Sequence, residues 1–218
     1  MIALLWLVLK AVLAALIGYL LGSANTSLIV GKFYGVDVRK HGSGNAGMTN
    51  TLRTLGKLPA LLVIVGDMLK GILACIIGYY IFRIGLDLSE LNYAVDINRV
   101  GLFAGGLGAI LGHNWPLYFG FRGGKGVLTT FAVVLLAGPY QGLILLGIFL
   151  VVVALTRYVS LGSIMAALCF PFLAAFMEKD ILFTSFATFV ALLVVIRHRS
   201  NIVRLCKGTE NKFGAKKE

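Results

Sequence analysis

Seven apolar runs, each closed by a short polar link, leave this chain few ways to fold. They cover residues 3–22 (with an apolar continuation to about 30), 58–82, 98–112, 126–138, 140–156, 161–177 and 180–196. In hydrocarbon every backbone N–H and C=O must find a partner within its own segment, so such runs become transmembrane helices. A span needs roughly 20 apolar residues, with about 17 as the lower end. The third and fourth runs fall short of this, which predicts two short helices, either tilted or stopping below a water-filled cavity. Composition agrees: 59% of residues are hydrophobic and 13% charged, against about 25% charged in soluble domains. The predicted fold is an all-α integral membrane protein with seven transmembrane helices, forming one domain over residues 1–218.

Charge gives the orientation. With the N-terminus outside, the links 23–57, 113–125 and 157–160 and the tail from 197 hold 15 of the 20 basic residues, Lys216 and Lys217 of the tail among them. The opposite links hold only Arg83, Arg99 and Lys179. Basic residues concentrate in cytoplasmic links, so the C-terminus is expected in the cytoplasm of a bacterial inner membrane. The same distribution accounts for the net charge of +11, and no basic face interleaved with aromatics points to nucleic acid. Lys57 and Lys207–Lys217 are suited to anionic lipid. The first run lacks a basic leader and a small-residue cleavage site, so it reads as a retained helix. Cys75, Cys169 and Cys206 are widely spaced, and neither a disulfide framework nor a metal-ligand cluster is present.

Three polar islands interrupt this pattern: His41–Arg53, Gly112–Val127 and Arg197–Glu210. On the orientation above all three face the cytoplasm. Gly42-Ser-Gly-Asn-Ala-Gly47 matches the letters of a dinucleotide fingerprint, but no strand precedes it and Asp67 lies in a span. The second island is not a nucleotide-binding loop either, with Phe119 where a glycine is needed and Gly126 in place of Ser or Thr. What remains is the chemistry of anion binding. Glycines let backbone N–H groups approach an anion, and a following helix adds its positive end. A helix over about 46–55 places Thr49, Asn50 and Arg53 on one face, with Arg53 offering a fork that suits phosphate. Gly123-Gly-Lys-Gly126 offers a second cradle before the fourth span. In the third island His198 and Asn201 are three apart, so one helical surface can carry both, and His198 can exchange a proton with a hydroxyl.

Within the spans, Lys10 reads as a snorkelling side chain. Asp67 and Lys70 are three apart and pair on one helix side, which lowers the cost of burying either charge. Small residues at 101/105, 104/108 and 108/112, all glycine but Ala104, follow the spacing that lets helices approach closely.

Together these blocks resemble the bacterial acylphosphate:glycerol-3-phosphate acyltransferases. The matching residues are Gly22-Ser23, Gly31-Lys-x-x-Gly-Val-Asp37-Val-Arg39, and Gly42-Ser-Gly-Asn45-x-Gly47-x-Thr-Asn50-x-x-Arg53-x-x-Gly-Lys57. They continue with Gly112-His-x-x-Pro116, Gly120-Phe-Arg-Gly-Gly-Lys125-Gly-Val, Arg157-Tyr-Val-Ser-Leu-x-Ser163-Ile, and His198-Arg-x-Asn201-Ile-x-Arg-Leu-x-x-Gly208-Thr-Glu210. The resemblance spans nearly the whole chain. It implies transfer of a fatty acyl group from acyl phosphate to the 1-hydroxyl of glycerol 3-phosphate, giving lysophosphatidic acid and inorganic phosphate. It also implies a substrate pair held at the bilayer, with no cofactor, no metal, and no obligate protein partner readable. No His of this chain has Asp at the fifth residue after it, so the His-x4-Asp signature of soluble-type glycerophosphate acyltransferases is absent. Asn25 departs from a common Pro, and Met48 and Leu128 from common alanines, each next to the polar groups.

On this resemblance Ser43, Arg53, His198 and Asn201 are the candidate catalytic residues. Gly44, Asn45, Gly47, Thr49, Gly123, Gly124, Lys125 and Ser163 are the candidate phosphate-binding residues. Ser43, the 44–47 backbone and Arg53 serve one phosphate, and Lys125 with the 123–126 turn the other; which substrate goes where stays open. Ser163, His198 and Asn201 orient the attacking hydroxyl or the oxyanion. No nucleophile–base pair is evident, so direct attack by the glycerol hydroxyl is expected. A transporter of phosphorylated solutes is the alternative class, but it predicts internal repeats, and none is visible. A non-catalytic membrane scaffold gives no reason for three polar islands on one side.

Overall fold

The computed structural model describes residues 2–84 and 97–214, and these form helices joined by turns, with no strand among them. The expected basic residues Lys216 and Lys217 lie outside the described residues. The chain divides into two compact units, Met1–Ala137 and Gly138–Glu218.

In the first unit the helices are α1 (Ile2–Ser23), α2 (Thr26–Phe33), α3 (Met48–Leu55), α4 (Lys57–Arg83), α5 (Ile97–Asn114) and α6 (Val127–Ala137). The first apolar run does continue, since Leu4–Phe33 is a 30-residue apolar stretch, but it is broken after Ser23. Asn25 sits at the break with φ −70° and ψ 107°, and its side chain accepts from Leu28 N at 3.1 Å to cap α2. A side-chain acceptor here satisfies an otherwise unpaired helix-end N–H.

α5 lies against both α1 and α4, and the expected small-residue packing is the reason. A Cβ on Gly105 or Gly101 would strike the Ala74 or Gly78 carbonyl of α4, and one on Gly108 or Gly112 would strike Ala15 or Tyr19 of α1. Two faces of one helix are therefore in backbone contact with neighbours. α5 has 18 residues, longer than its 15-residue apolar run. It absorbs polar His113 and Asn114 because both are buried in protein and not in lipid. α6, with 11 residues, is short as expected. The Lys10 Nζ donates to the Phe82 and Ile84 carbonyls at the C-terminal end of α4. A cation at that end also meets the negative pole of the helix.

In the second unit α7 (Pro139–Thr156), α8 (Val159–Met177) and α9 (Ile181–Arg197) pack in sequence, and α10 (Arg199–Cys206) turns away from α9 by 59° at His198. The edge-to-face rings Phe170–Phe183 join α8 to α9. The tail folds back: Phe213 N donates to Arg157 O at 2.7 Å and Arg157 donates to Phe213 O.

Among the described residues four apolar stretches are long enough to cross a membrane, or five with the bent α9–α10 pair. Their outer faces expose Leu4, Trp6, Leu61, Val65, Leu150 and Phe172. So much exposed apolar surface fits lipid and not water.

Candidate active site

The first glycine-rich island folds into a loop that its own neighbours hold open. Val38, Ala46 and Leu28 form a small apolar floor, with Leu55 and Phe119 packed against it. Above this floor Asn50 of α3 acts as a clamp. Its Oδ1 accepts from Ser43 N at 2.8 Å, and its Nδ2 donates to the carbonyls of Val38 at 2.8 Å and His41 at 3.1 Å. Gly42 has φ +60°, and any Cβ there would also strike Asn50 Oδ1. Thr51 ties the start of α3 to α2 through Ser27 Oγ at 2.7 Å. Asn25 reaches the same loop with a long 3.4 Å bond from Nδ2 to Ala46 O.

Ser43 is thus fixed by its backbone, with a half-buried hydroxyl. Gly47 opens α3 with no side-chain cap, which leaves first-turn N–H groups for an anion. Thr49, half-buried, and Arg53, exposed, follow one turn apart on that helix.

The second cradle is folded over the end of α5. Gly124 N donates to His113 O at 3.2 Å, and Gly126, at φ +74°, leads into α6. A Cβ on Gly124 would strike both Ala46 O and His113 Nε2, so the turn touches the first loop directly. Gly123, Gly124 and half-buried Lys125 are therefore neighbours of the 42–47 loop. Arg39 pins the two regions from outside, bonding Asp37 at 2.9 Å and the carbonyls of Phe119 at 3.1 Å and Arg122 at 3.3 Å. The Arg39 hydrogen bond holds the Asp37 carboxyl below its usual range, against the opposing effect of burial.

In the second unit His198 occupies the corner between α9 and α10 and is 2% exposed. Its Nδ1 lies 2.8 Å from Val194 O. A carbonyl can only accept, so Nδ1 carries hydrogen and Nε2 is the basic nitrogen of the neutral ring. Asn201 follows one turn on, donating from Nδ2 to Glu210 Oε1 at 2.8 Å, while its buried Oδ1 has no hydrogen-bond partner. Glu210 also accepts from Ser160 Oγ at 3.0 Å and Arg204 Nε at 2.7 Å. Burial would raise its pKa, but the bonds from Asn201, Arg204 and Ser160 outweigh that and lower it. Ser163 is buried, and its hydroxyl donates to Val159 O at 3.0 Å within α8.

The glycerol-3-phosphate acyltransferase family model matches residues 12–208, which include every residue of the site just described except Glu210. A glycerol-3-phosphate acyltransferase of Clostridioides difficile (strain 630) is 44% identical over 95% of this chain and 97% of its own. One from Halalkalibacterium halodurans is 44% identical over 92% and 94%. The chain belongs to the glycerol-3-phosphate acyltransferase family. It is therefore a membrane-embedded acyltransferase of phospholipid biosynthesis. Among solved structures it is similar to the crystal structure of PlsY (YgiH), an integral membrane glycerol 3-phosphate acyltransferase. The glycerol 3-phosphate form is 36% identical with TM-score 0.80, covering 94% of this chain and 96% of that one. The lysophosphatidic acid form is 35% identical with TM-score 0.78.

Within this acyltransferase the structure brings Ser43, Gly44, Asn45, Gly47, Thr49 and Arg53 into one loop and helix, next to Gly123, Gly124 and Lys125. Ser163, His198 and Asn201 belong to the second unit. The sequence reading missed three supports. Asn50 was read only as part of a polar face and a matching block, and Glu210 and His113 only as parts of matching blocks. Asp67 and Lys70 held the signal for His113, because two buried charges require further hydrogen-bond partners.

Proposed function

We propose that this acyltransferase takes its acyl group from acyl phosphate. The 1-hydroxyl of glycerol 3-phosphate attacks the acyl carbon, and the bond from that carbon to the phosphate oxygen breaks. The hydroxyl proton leaves with the departing phosphate, giving lysophosphatidic acid and inorganic phosphate. The contact of Gly124 with the Ala46 carbonyl carries this reading, because it sets two anion cradles side by side. A donor whose leaving group is itself phosphate gives the second cradle a task at the reacting carbon, which a thioester donor does not. The glycerol 3-phosphate and lysophosphatidic acid forms of PlsY support the acceptor and the product.

Ser43, the 44–47 backbone, Thr49 and Arg53 are assigned to one phosphate, and Gly123, Gly124 and Lys125 to the other. Ser163, His198 and Asn201 are assigned to the attacking hydroxyl and the oxyanion, with His198 Nε2 and Asn201 Oδ1 as acceptors. Positioning and fixed dipoles then supply the catalysis. The chain is one functional domain of seven spans in the bacterial cytoplasmic membrane, N-terminus outside, with the site facing the cytoplasm. The family match across both units and the basic bias of the links support this.

The test is purified protein with acyl phosphate and glycerol 3-phosphate. Phosphate release that requires both substrates, with lysophosphatidic acid formed and EDTA without effect, is expected. Transfer from acyl-CoA instead would overturn the donor assignment, and uptake into vesicles without turnover would favour a transporter. Ser43→Ala and Arg53→Ala should each lower kcat/KM by about 100-fold or more, the scale of one lost transition-state donor. Rapid-quench mass spectrometry should find no acyl group on Ser43.

A further inference from the structure

Asp67, Lys70 and His113 are buried in the first unit and have no part in the assignments above. Lys70 Nζ lies 2.8 Å from Asp67 Oδ1, 3.0 Å from His113 Nδ1 and 3.3 Å from Ala24 O. An ammonium group has three hydrogens and no acceptor, so these three partners saturate it. Asp67 Oδ1 also accepts a long 3.4 Å bond from Thr26 N, and Thr129 Oγ1 donates to the Asp67 carbonyl at 3.1 Å. The cluster thus joins α4 and α5 to the α1–α2 break and to the start of α6.

With Asp67 a carboxylate and Lys70 an ammonium, the cluster balances in charge when the imidazole is neutral. Because Lys70 can only donate, His113 Nδ1 must accept, and the ring hydrogen is then on Nε2. An imidazolium would instead point an N–H at the ammonium across 3.0 Å. The Nε2 atom lies against Gly124, where a Cβ would strike both it and Ala46 O. This is the place where the 123–126 turn meets the 42–47 loop.

We propose that Asp67, Lys70 and His113 form a positioning network that fixes His113 as an Nε2–H donor at the junction of the two anion-binding loops, holding those loops in register. The kinetic part rests on the acyl-transfer reading above; the tautomer does not. His113 lies against loop backbone at Gly124, so its loss is expected in substrate binding before chemistry. Removing Lys70 leaves Asp67 Oδ1 at 3.5 Å from His113 Nδ1, and the carboxylate then draws a hydrogen onto Nδ1.

The experiment is 15N NMR of histidine-labelled protein in detergent at pH 7, with the His113 signals assigned by their loss in His113→Gln. Wild type should show a neutral ring with hydrogen on Nε2 alone, and Lys70→Met should show hydrogen on Nδ1. An imidazolium or an Nδ1–H tautomer in wild type overturns the proposal, as does an unchanged tautomer in Lys70→Met. Kinetics provide the second readout. His113→Asn, which reaches only the Nδ1 position, should raise KM for a phosphorylated substrate roughly tenfold with kcat nearly kept. His113→Gln can return an N–H to the Nε2 position and should recover most of that rise. Equal KM values for the two variants, or a loss confined to kcat, count against the network. A wild type with no acyl transfer removes the transferase reading and leaves the tautomer result to stand or fall alone.

Discussion

Asn50 uses its whole amide on loop backbone, and that places it before Ser43 in the causal order of the site. Asn50→Ala would leave Ser43 N and the Val38 and His41 carbonyls without this partner. An unpaired buried group costs about 1–3 kcal/mol and a partly solvated one less, and two of these three bonds are only partly buried, so thermal unfolding in detergent should show a loss of about 2–4 kcal/mol together with weakened substrate binding. Glu210 plays the same part in the second unit, and its contribution depends on charge. Its folded pKa is lowered from the ordinary 4.5. The stabilisation is therefore fully present above pH 4.5 or so and is lost as pH falls through the lowered folded value. Melting curves from pH 7 down to 3 should show a steep acid limb in wild type and a flatter, lower curve in Glu210→Gln. At this scale the sequence was only partly legible. Ser43 and Arg53 stood out by residue type, whereas Asn50, Glu210 and His113 acquire meaning only from partners 6 to 50 residues distant.

α5 shows what a helix gives up to touch two neighbours at once. Its glycines carry no side chain to bury, and their value lies in the backbone contacts with α1 and α4. Gly105→Leu should prevent that approach, since overpacking costs about 1–3 kcal/mol even where repacking is possible, and here the obstacle is the Ala74 carbonyl backbone. Gly147→Ala in α7, where a Cβ meets nothing within 4 Å, is the matched control and should leave the melting temperature nearly unchanged. The apolar runs located the helix ends to within two residues because lipid tolerates few other boundaries. The break at residues 24–25 was not legible. Asn25 was noticed as a departure from a family pattern, but its role as a cap depends on the turn it closes. The extension of α5 through Asn114 was hidden for a related reason, since hydropathy counts polar residues without knowing whether protein or lipid surrounds them.

For the whole molecule the proposed orientation can be checked with cysteines already present. Cys206 is exposed at the end of α10, while Cys75 is buried in α4. A membrane-impermeant maleimide should label Cys206 in inside-out vesicles and not in intact spheroplasts, with Cys75 unreactive in both. The reverse pattern would place the C-terminus outside. The α1–α2 break has a bearing on how the chain is made. Its helix-end carbonyl at Ala24 and amide at Thr26 are met by Lys70 and Asp67, which leave the ribosome some forty residues later. Until α4 enters the bilayer, only local bonds such as the Asn25 cap hold that corner. The corner can then be fixed only as the second long helix arrives, so this enzyme's first step of maturation is a joint act of two segments made at different times.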